Sequence, residues 1–142
     1  MTIAAILKDK GDDVVSLPRT ATVGQALALL ADKRIGAVPV VDGAAVVGIF
    51  SERDVVYGLA TYGPAALDRI LADVMTQPVQ SVTPKEPVIG ALSLMTRRRI
   101  RHLPVVEGER MVGFVSIGDL VKYRIDRIEA GAAAMRDYIQ TA

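Results

Sequence analysis

The stretch IGAVPVVDGAAVVGIFSERD, residues 35–54, decides the fold of this chain. It holds two β-rich runs, AVPVV and AVVGIF, on either side of Asp42 and Gly43. An Asp-Gly pair between two such runs is among the strongest short-range signals for a β-hairpin. The stretch therefore predicts a hairpin whose second strand ends at Ser51, where the chain turns into a helix.

The same stretch occurs a second time, 65 positions later. Residues 100–119 read IRHLPVVEGERMVGFVSIGD, and the ungapped correspondence joins residues 16–56 to residues 81–121. Identical pairs include Val23 with Val88, Leu27 with Leu92, Ile35 with Ile100, Pro39 with Pro104, Gly43 with Gly108, Gly48 with Gly113, Ser51 with Ser116, and Asp54 with Asp119. A repeated supersecondary unit cannot bury its apolar face alone, so we expect the two copies to pack as one domain.

An amphipathic helix precedes each hairpin. In the first copy, apolar residues fall at i, i+3, i+4 and i+7 from Val23, which predicts a helix over residues 23–33. Thr22 and Gln25 have the spacing of a capping box. The same stripe begins at Val88 in the second copy, after a proline that a first helical turn tolerates. Each copy therefore reads as short strand, helix, strand, strand, helix.

The composition excludes several classes of function. The chain has no cysteine, which rules out disulfides, thiolate zinc sites and a cysteine nucleophile. His102 is the only histidine, so a histidine-rich metal site is impossible, and a Ser-His-Asp triad would have to use it. We predict no metal site and no catalytic triad.

Charge and hydropathy bear on the partners. The net charge of +1 creates no global field that would draw the protein to nucleic acid or to a membrane surface. The first apolar run is too short for a signal peptide, and no uncharged run approaches the roughly 18 residues of a membrane span. We expect a cytoplasmic protein that does not bind membranes.

We divide the chain into three segments. Residues 1–62 form the first copy with its leading helix, residues 63–124 form a connector helix and the second copy, and residues 125–142 form a C-terminal helix. The connector, TYGPAALDRILADV, begins with a Gly-Pro breaker and continues as a helix. If Leu7 corresponds to Met75, the first copy has three extra residues in its opening loop.

The last helix has a heptad-like apolar seam. Its members follow a 4, 3, 4, 3, 4 spacing and are Val121, Ile125, Ile128, Ala132, Met135 and Ile139. One interpretation is a contact between two copies of the chain. The alternative is a helix that lies back on its own domain, and Gly131 weakens a long continuous helix.

Each copy contains, in this order, a helix, the motif PVV-acid-Gly, a strand and the motif G-h-h-S-x-x-D, where h is apolar. This duplicated order resembles a tandem pair of CBS domains, the family named for cystathionine β-synthase. The likeness covers residues 3–122. It implies an α/β (α+β) fold of two β-α-β-β-α repeats, packed about a pseudo-twofold axis as one Bateman-type module with a C-terminal helix. The resemblance also implies two clefts between the repeats, and a homodimer whose parallel or antiparallel arrangement stays open.

The resemblance further implies a regulatory function without catalysis. Clefts of such pairs commonly hold adenosine nucleotides, with AMP as our leading candidate and ADP, ATP, NAD or S-adenosylmethionine as others. No catalytic cofactor is expected. Ligand binding would change the shape or stability of the dimer for a downstream protein that the sequence does not name.

Two interpretations apply to Ser51 with Asp54 and to Ser116 with Asp119. Each pair can cap a helix and complement its dipole without any ligand. Alternatively, the Asp accepts hydrogen bonds from both hydroxyls of a ribose, while the Ser and free backbone N–H groups face phosphate. The duplication favours binding, more strongly for the second copy.

The resemblance implies that adenine lies between the opening strand and the strand before PVV. In the second copy this assignment gives Val82, Thr83, Arg101, His102, Leu103 and Pro104, with Ser116 and Asp119 below them. In the first copy it gives Leu17, Pro18, Gly36, Ala37, Val38 and Pro39, with Ser51 and Asp54. Because Gly36 and Ala37 replace Arg101 and His102, we predict two unequal sites.

The run RRRIR, residues 97–101, leaves further alternatives open. Arginines at the end of a helix complement its negative terminus and are commonly solvated. Arg101, and Arg53 from the first copy, are predicted to face the central groove and neutralise phosphate. A nucleic-acid binder that uses this run is the weakest hypothesis, because no reading element accompanies it. A ligand-free protein interaction module is the main alternative to a sensor.

Overall fold

Two β-hairpins, one from each repeat, form as the sequence predicts. In the computed structural model, β2 (Ala37–Asp42) pairs antiparallel with β3 (Ala45–Ser51), and β4 (His102–Glu107) pairs antiparallel with β5 (Arg110–Ser116). The turn glycine of the first hairpin, Gly43, and its counterpart in the second have φ angles of 64° and 60°. Glycine adopts this left-handed conformation without a steric penalty, which explains its place in both turns.

The structure describes residues 1–11 and 13–141. Asp12, in the predicted first segment, and Ala142, the last residue of the predicted third segment, lie outside the described residues. Within the described ranges, no helix is long and apolar enough to cross a membrane.

The helices flank the hairpins in the predicted order. Their bounds are α1 Ile3–Lys10, α2 Val23–Lys33, α3 Glu52–Tyr62, α4 Leu71–Val74, α5 Val88–Arg98 and α6 Ile117–Thr141. The capping box before α2 is present: the Thr22 N–H donates to Gln25 Oε1 at 2.9 Å, and the Gln25 N–H donates to Thr22 Oγ1 at 3.1 Å. The helices, hairpins and order of elements are those of the predicted fold class.

The two repeats differ in their opening strands. In the first, β1 (Leu17–Pro18) pairs parallel with β2 and completes a three-stranded sheet. In the second, the corresponding strand is reduced to one parallel bridge between Val82 and Val105. The second sheet therefore has two strands, β4 and β5.

The connector is not the single helix that the sequence predicts. A 3-10 helix at Gly63–Asp68 and the short α4 are separated by Arg69 and Ile70, which have extended backbone. The Arg69 carbonyl accepts a hydrogen bond from the Val23 N–H at 2.8 Å, and Ile70 bridges to Thr22. The helix breaks here because the extended backbone binds the first repeat.

The short helix before each repeat packs on the other repeat. In α1, Ile3 and Ile6 are buried in the core of the second repeat, with Leu103. The Ile3 N–H donates to the Glu86 carbonyl at 2.9 Å. In α4, Leu71 is fully buried in the core of the first repeat. Segments 1–62 and 63–124 are therefore not separate spatial units, because each core needs a helix from the other segment.

Each repeat thus exchanges a short helix with the other, and two equivalent glycines leave room for the exchanged helices. A Cβ on Gly113 of β5 would lie 2.5 Å from Leu7 Cδ2, and a Cβ on Gly48 of β3 would overlap Met75. Leu7, which is part of α1, packs against the core of the second repeat. Met75, which directly follows α4, packs against the core of the first repeat. Leu7 and Met75 therefore pack on equivalent glycines of the two repeats, in agreement with the correspondence assumed from the sequence.

The C-terminal helix leaves most of its apolar seam exposed. Leu120 is buried and Tyr123 packs partly against the second core. Further along, Ile128 is 61% exposed, Met135 60% and Ile139 65%. The interpretation in which the whole helix lies back on its own domain is wrong for this end of α6.

We expect the substitution Gly113→Ala to lower the free energy of unfolding by about 1–3 kcal/mol, because the new methyl group would crowd Leu7. The same substitution in a Leu7→Ala background should cost much less. Gly131→Ala is the control: its Cβ meets open space, and alanine is the better helix former. Urea denaturation of Gly113→Ala, Leu7→Ala, the double variant and Gly131→Ala measures these free energies of unfolding. If Gly113→Ala lowers the free energy equally with Leu7 and with Ala at position 7, the packing of α1 on the second repeat is contradicted.

Candidate functional site

A cleft of about 460 Å³ lies between the two repeats. From the second repeat it is lined by His102, Phe114, Ser116 and Asp119. From the first repeat it is lined by residues 34–37, which join α2 to β2, and by the opening segment before β1. Lys10 at the end of α1 completes the lining. The cleft therefore has walls from both copies.

The structure groups the predicted residues differently from the sequence. Gly36 and Ala37, predicted for the first site, line the same cleft as His102, Ser116 and Asp119 of the second. A Cβ on Gly36 would lie 3.7 Å from His102 Cε1 and 3.1 Å from Glu52 Oε1, so the two repeats meet closely here. Predicted residues of both copies thus lie around one cleft, because the repeats face each other here, and the assignment of each site to one copy stays a prediction.

The remaining predicted residues lie elsewhere. Val82 is buried, and its backbone is bound to β4, with the Val82 N–H donating to the Pro104 carbonyl at 3.1 Å. Leu17 and Pro18 line a separate, more open cavity beside α2. Four further positions are buried in or beside the cores, namely Val38, Pro39, Leu103 and Pro104. Exposed outside the lining of the cleft are Thr83, Arg53 and Arg101. These positions stay predictions as ligand contacts, although the geometry does not bring them to the cleft.

Ser116 and Asp119 form a reciprocal capping box at the start of α6. The Ser116 N–H donates to Asp119 Oδ2 at 2.8 Å, and the Asp119 N–H donates to Ser116 Oγ at 3.1 Å. The capping interpretation is therefore confirmed for this pair. Both side chains also line the cleft, so the cap leaves them at its surface.

The start of α6 has few free backbone donors for a phosphate. The Ile117 N–H donates to the Arg101 carbonyl at 2.8 Å, and the Asp119 N–H is used by the cap. Two of the first amides of α6 are therefore already bonded within the second repeat. A phosphate in the cleft would depend on side chains for much of its binding.

Lys10 lines the cleft and was not predicted from the sequence, as is also true of Arg34, Phe114 and the segment before β1. Lys10 Nζ donates to Asp119 Oδ2 and to the Phe114 carbonyl, both at 2.7 Å. The side chains of Lys10 and Asp119 keep 39% and 29% of their exposure, so water reaches the ion pair. A lysine in the last turn of a helix is an ordinary sequence feature. The correspondence of Leu7 with Met75 was the available signal that α1 belongs near the second hairpin.

The surroundings of Asp119 favour its charged form. Burial alone would raise the pKa of this carboxyl, but the hydrogen bonds from Lys10 and the Ser116 N–H, with the charge of Lys10, lower the pKa below its usual value. Asp119 is therefore an anionic hydrogen-bond acceptor at neutral pH. That is the form required to accept hydrogen bonds from two hydroxyl groups.

The equivalent aspartate of the first repeat has different partners. The Ser51 N–H donates to Asp54 Oδ2 at 2.9 Å, and Thr76 Oγ1 donates to Asp54 Oδ1 at 3.2 Å. The backbones of Ile49 and Thr76 also exchange two hydrogen bonds of 2.8 and 3.1 Å, which occupy this edge of β3. Asp54 thus meets a neutral hydroxyl where Asp119 meets an ammonium. The two Ser-Asp elements therefore differ in their surroundings, and the prediction of two unequal binding sites stays a prediction.

His102 forms one wall of the cleft. Its ring stacks on Phe114, with centroids 5.6 Å apart and planes 11° apart. Burial lowers the pKa of His102, as do the charges of Lys10 and Arg101, and these effects outweigh the opposing charges of Asp119 and Glu52. The imidazole is therefore neutral at physiological pH and acts as an aromatic surface with one donor and one acceptor.

We expect the free energy of unfolding to fall as the pH drops from about 7.5 to about 5.5, in part through His102. The folded pKa of His102 lies below the unfolded value of 6.5, so the unfolded chain binds more protons in this range. The stabilising contribution of His102 is fully present above its unfolded pKa and is lost as the pH falls through its folded pKa. The variant His102→Gln should show a weaker decline in urea denaturation. Identical pH profiles for both proteins would contradict this account, since Asp119 titrates at lower pH.

Comparison with known proteins identifies the family. The CBS domain family matches the chain twice, at residues 7–61 and 71–126. The CBS domain-containing protein CBSX3, mitochondrial, of Arabidopsis thaliana is 32% identical over 148 aligned residues, which cover 98% of this chain and 72% of that protein. The CBS-domain containing protein ATU1752 from Agrobacterium tumefaciens superposes with a TM-score of 0.83 at 38% identity, covering 87% of this chain and 99% of that chain.

Two similar solved structures contain adenosine compounds. The CBS domain protein PAE2072 from Pyrobaculum aerophilum is complexed with AMP, and matches with a TM-score of 0.74 at 30% identity, covering 84% of this chain and 89% of that chain. The CBS domain pair of protein MJ0100 is in complex with 5′-methylthioadenosine and S-adenosyl-L-methionine, and matches with a TM-score of 0.75 at 25% identity, covering 93% and 98%. With both repeats matched over most of their length and folded as predicted, this chain belongs to the CBS domain family and carries two of its domains.

Proposed function

We propose that the chain is a regulatory module that binds an adenosine nucleotide in the cleft between its repeats and catalyses no reaction. The observation that carries the proposal is the Ser116–Asp119 box, which caps α6 and at the same time lines a cleft of about 460 Å³. A cleft of this size falls within the usual range for small-molecule sites. The AMP complex of the related PAE2072 supports the choice of ligand.

The walls of the cleft suit the parts of such a ligand. Asp119 is anionic and partly exposed, so it can accept hydrogen bonds from a ribose diol. Val14, Val15 and Ala37 offer apolar surface to a purine on the side of the first repeat. Lys10 and Arg34 bring positive charge for a phosphate. AMP remains the leading ligand, with ADP, ATP, NAD and S-adenosylmethionine as candidates for the same titration series.

We expect Asp119→Ala to weaken AMP binding by at least about tenfold, the loss of roughly 1.4 kcal/mol of hydrogen bonding to a charged acceptor. Asp54→Ala is the matched control, because it removes the equivalent capping carboxylate at the start of α3. Both variants should lose about 1 kcal/mol of folding stability through the cap. Isothermal titration calorimetry with AMP separates them, since Asp54 does not line the cleft at Asp119 and Asp54→Ala should leave binding in that cleft unchanged.

Several outcomes of this experiment would contradict the proposal. If the wild type binds none of the adenosine compounds at millimolar concentration, the chain is better described as a ligand-free interaction module. If Asp119→Ala and Asp54→Ala lose equal amounts of folding stability and of AMP affinity, the loss of a helix cap explains the effect of Asp119→Ala. A thermal-shift assay gives an independent check, because a ligand at about 100 times its dissociation constant adds roughly 2.7 kcal/mol of stability.

We further propose that the protein acts as a homodimer held in part by the exposed seam of α6, through which ligand binding reaches a downstream protein. The apolar residues repeat at heptad-like spacing and remain uncovered by the chain itself. Exposed apolar stripes of this kind mark interaction surfaces. A second copy brings the same stripe, which makes the contact self-complementary.

We expect the double substitution Ile128→Asp with Met135→Asp to convert the dimer to a monomer, because it would bury charges in the contact. Ala130→Asp is the control, because the exposed Ala130 lies outside the seam on the same helix. Light scattering coupled to size-exclusion chromatography measures the mass. A monomeric wild type would contradict the dimer. A double variant that stays dimeric would place the contact elsewhere, for example at Val56 and Tyr57, which are 62% and 63% exposed on α3.

A further inference from the structure

We propose that Lys10 is an exchangeable ion-pair partner that selects adenosine ligands with an anionic 5′ group over nucleosides and over ligands with a cationic 5′ group. The inference rests on the proposed nucleotide site and assigns a specificity role that the repeated motif does not contain. Its basis is the placement of one ammonium group against the aspartate that would receive the ribose.

In the structure, the hydrogen bonds of Asp119 are concentrated on one oxygen. Oδ2 accepts from the Ser116 N–H at 2.8 Å and from Lys10 Nζ at 2.7 Å. Between described residues, no hydrogen bond reaches Oδ1. A ribose diol that binds both carboxylate oxygens needs room on Oδ2, which already has two donors. Ribose binding therefore displaces Lys10 Nζ from Asp119, while the Ser116 N–H remains as the cap.

The displaced ammonium needs a new anion. Lys10 is less than half exposed, and its second acceptor, the Phe114 carbonyl, is neutral. A 5′ phosphate on the same ribose supplies the anion within the cleft, and the flexible stem of lysine lets Nζ move there without displacing α1. A nucleoside offers no such group, and a sulfonium would repel the ammonium. The exchange thus favours ligands that bring their own negative charge.

The other charges in the cleft make this role specific. Among the lining residues that the structure describes, Asp13 and Asp119 bring carboxylates, and Arg34 is the cationic side chain besides Lys10. A phosphate near Asp119 would be repelled unless a cation lies between or beside them. Lys10, which already contacts Asp119, is the cation in position to do so.

In the first repeat, the Ser-Asp element has a threonine beside its aspartate where the second repeat has Lys10. Thr76 contacts Asp54 through a hydroxyl, and a hydroxyl cannot neutralise a phosphate. Two copies of one motif therefore carry different partners for their aspartates, one neutral and one cationic. The charge preference belongs to the cleft at Asp119 alone.

The test compares AMP with adenosine by calorimetry, in the wild type, Lys10→Met, Lys10→Arg and the control Lys8→Met. Lys8 is exposed on the same helix and lies outside the lining of the cleft. We expect the wild type and Lys8→Met to bind AMP at least about tenfold more tightly than adenosine. In Lys10→Met, AMP should weaken while adenosine binds equally or more tightly, because Asp119 no longer has to exchange its partner. Lys10→Arg, which keeps the charge, should retain most of the preference.

The outcomes separate this inference from the proposed site. A wild type that binds neither compound overturns the proposed function, and the inference with it. Equal affinities for AMP and adenosine in the wild type leave the site in place and overturn the role of Lys10. An equal loss of AMP and adenosine binding in Lys10→Met would show that the lysine only supports the structure of the cleft.

Discussion

The exchange of short helices between the two repeats is the constraint on which the rest of the structure depends. Each repeat supplies a small sheet and two helices, and this is too little to cover its own apolar surface. Ile3 of α1 closes the second core and Leu71 of α4 closes the first. Burying a side chain of this size contributes about 1.5–3 kcal/mol, so neither repeat can spare its borrowed helix.

The same exchange creates the difference between the two Ser-Asp elements. Because α1 packs on the second repeat, its last residue reaches Asp119. Because α4 is only four residues long, the chain after it pairs with β3 through the backbone of Thr76 and meets Asp54 with a hydroxyl. A helix added for core packing thus decides which charge stands beside each aspartate. The two Ser-Asp elements share one motif and differ through their neighbours.

Much of the fold could be predicted because its signals are local. The spacing of apolar residues from Val23 predicted α2 with its observed ends, and the Asp-Gly and Glu-Gly turns predicted both hairpins. The connector was predicted wrongly, since the pairing of Arg69 and Ile70 with the first repeat overrides the helical pattern of their sequence. Local propensity decides an element only where no stronger tertiary contact competes for its backbone.

The sequence by itself determined the duplicated β-α-β-β-α plan and the inequality of the two copies, in which Gly36 and Ala37 correspond to Arg101 and His102. It left helix capping by Ser116 and Asp119 as one of two interpretations. These features depend on residues that are close in the chain or identical between copies. Only the tertiary structure decided that Gly36 and His102 line one cleft, and that Lys10 binds Asp119, 109 positions away. The physical reason is that the cleft forms where two cores complete each other, and the spacing of residues in one chain does not specify how two apolar faces meet.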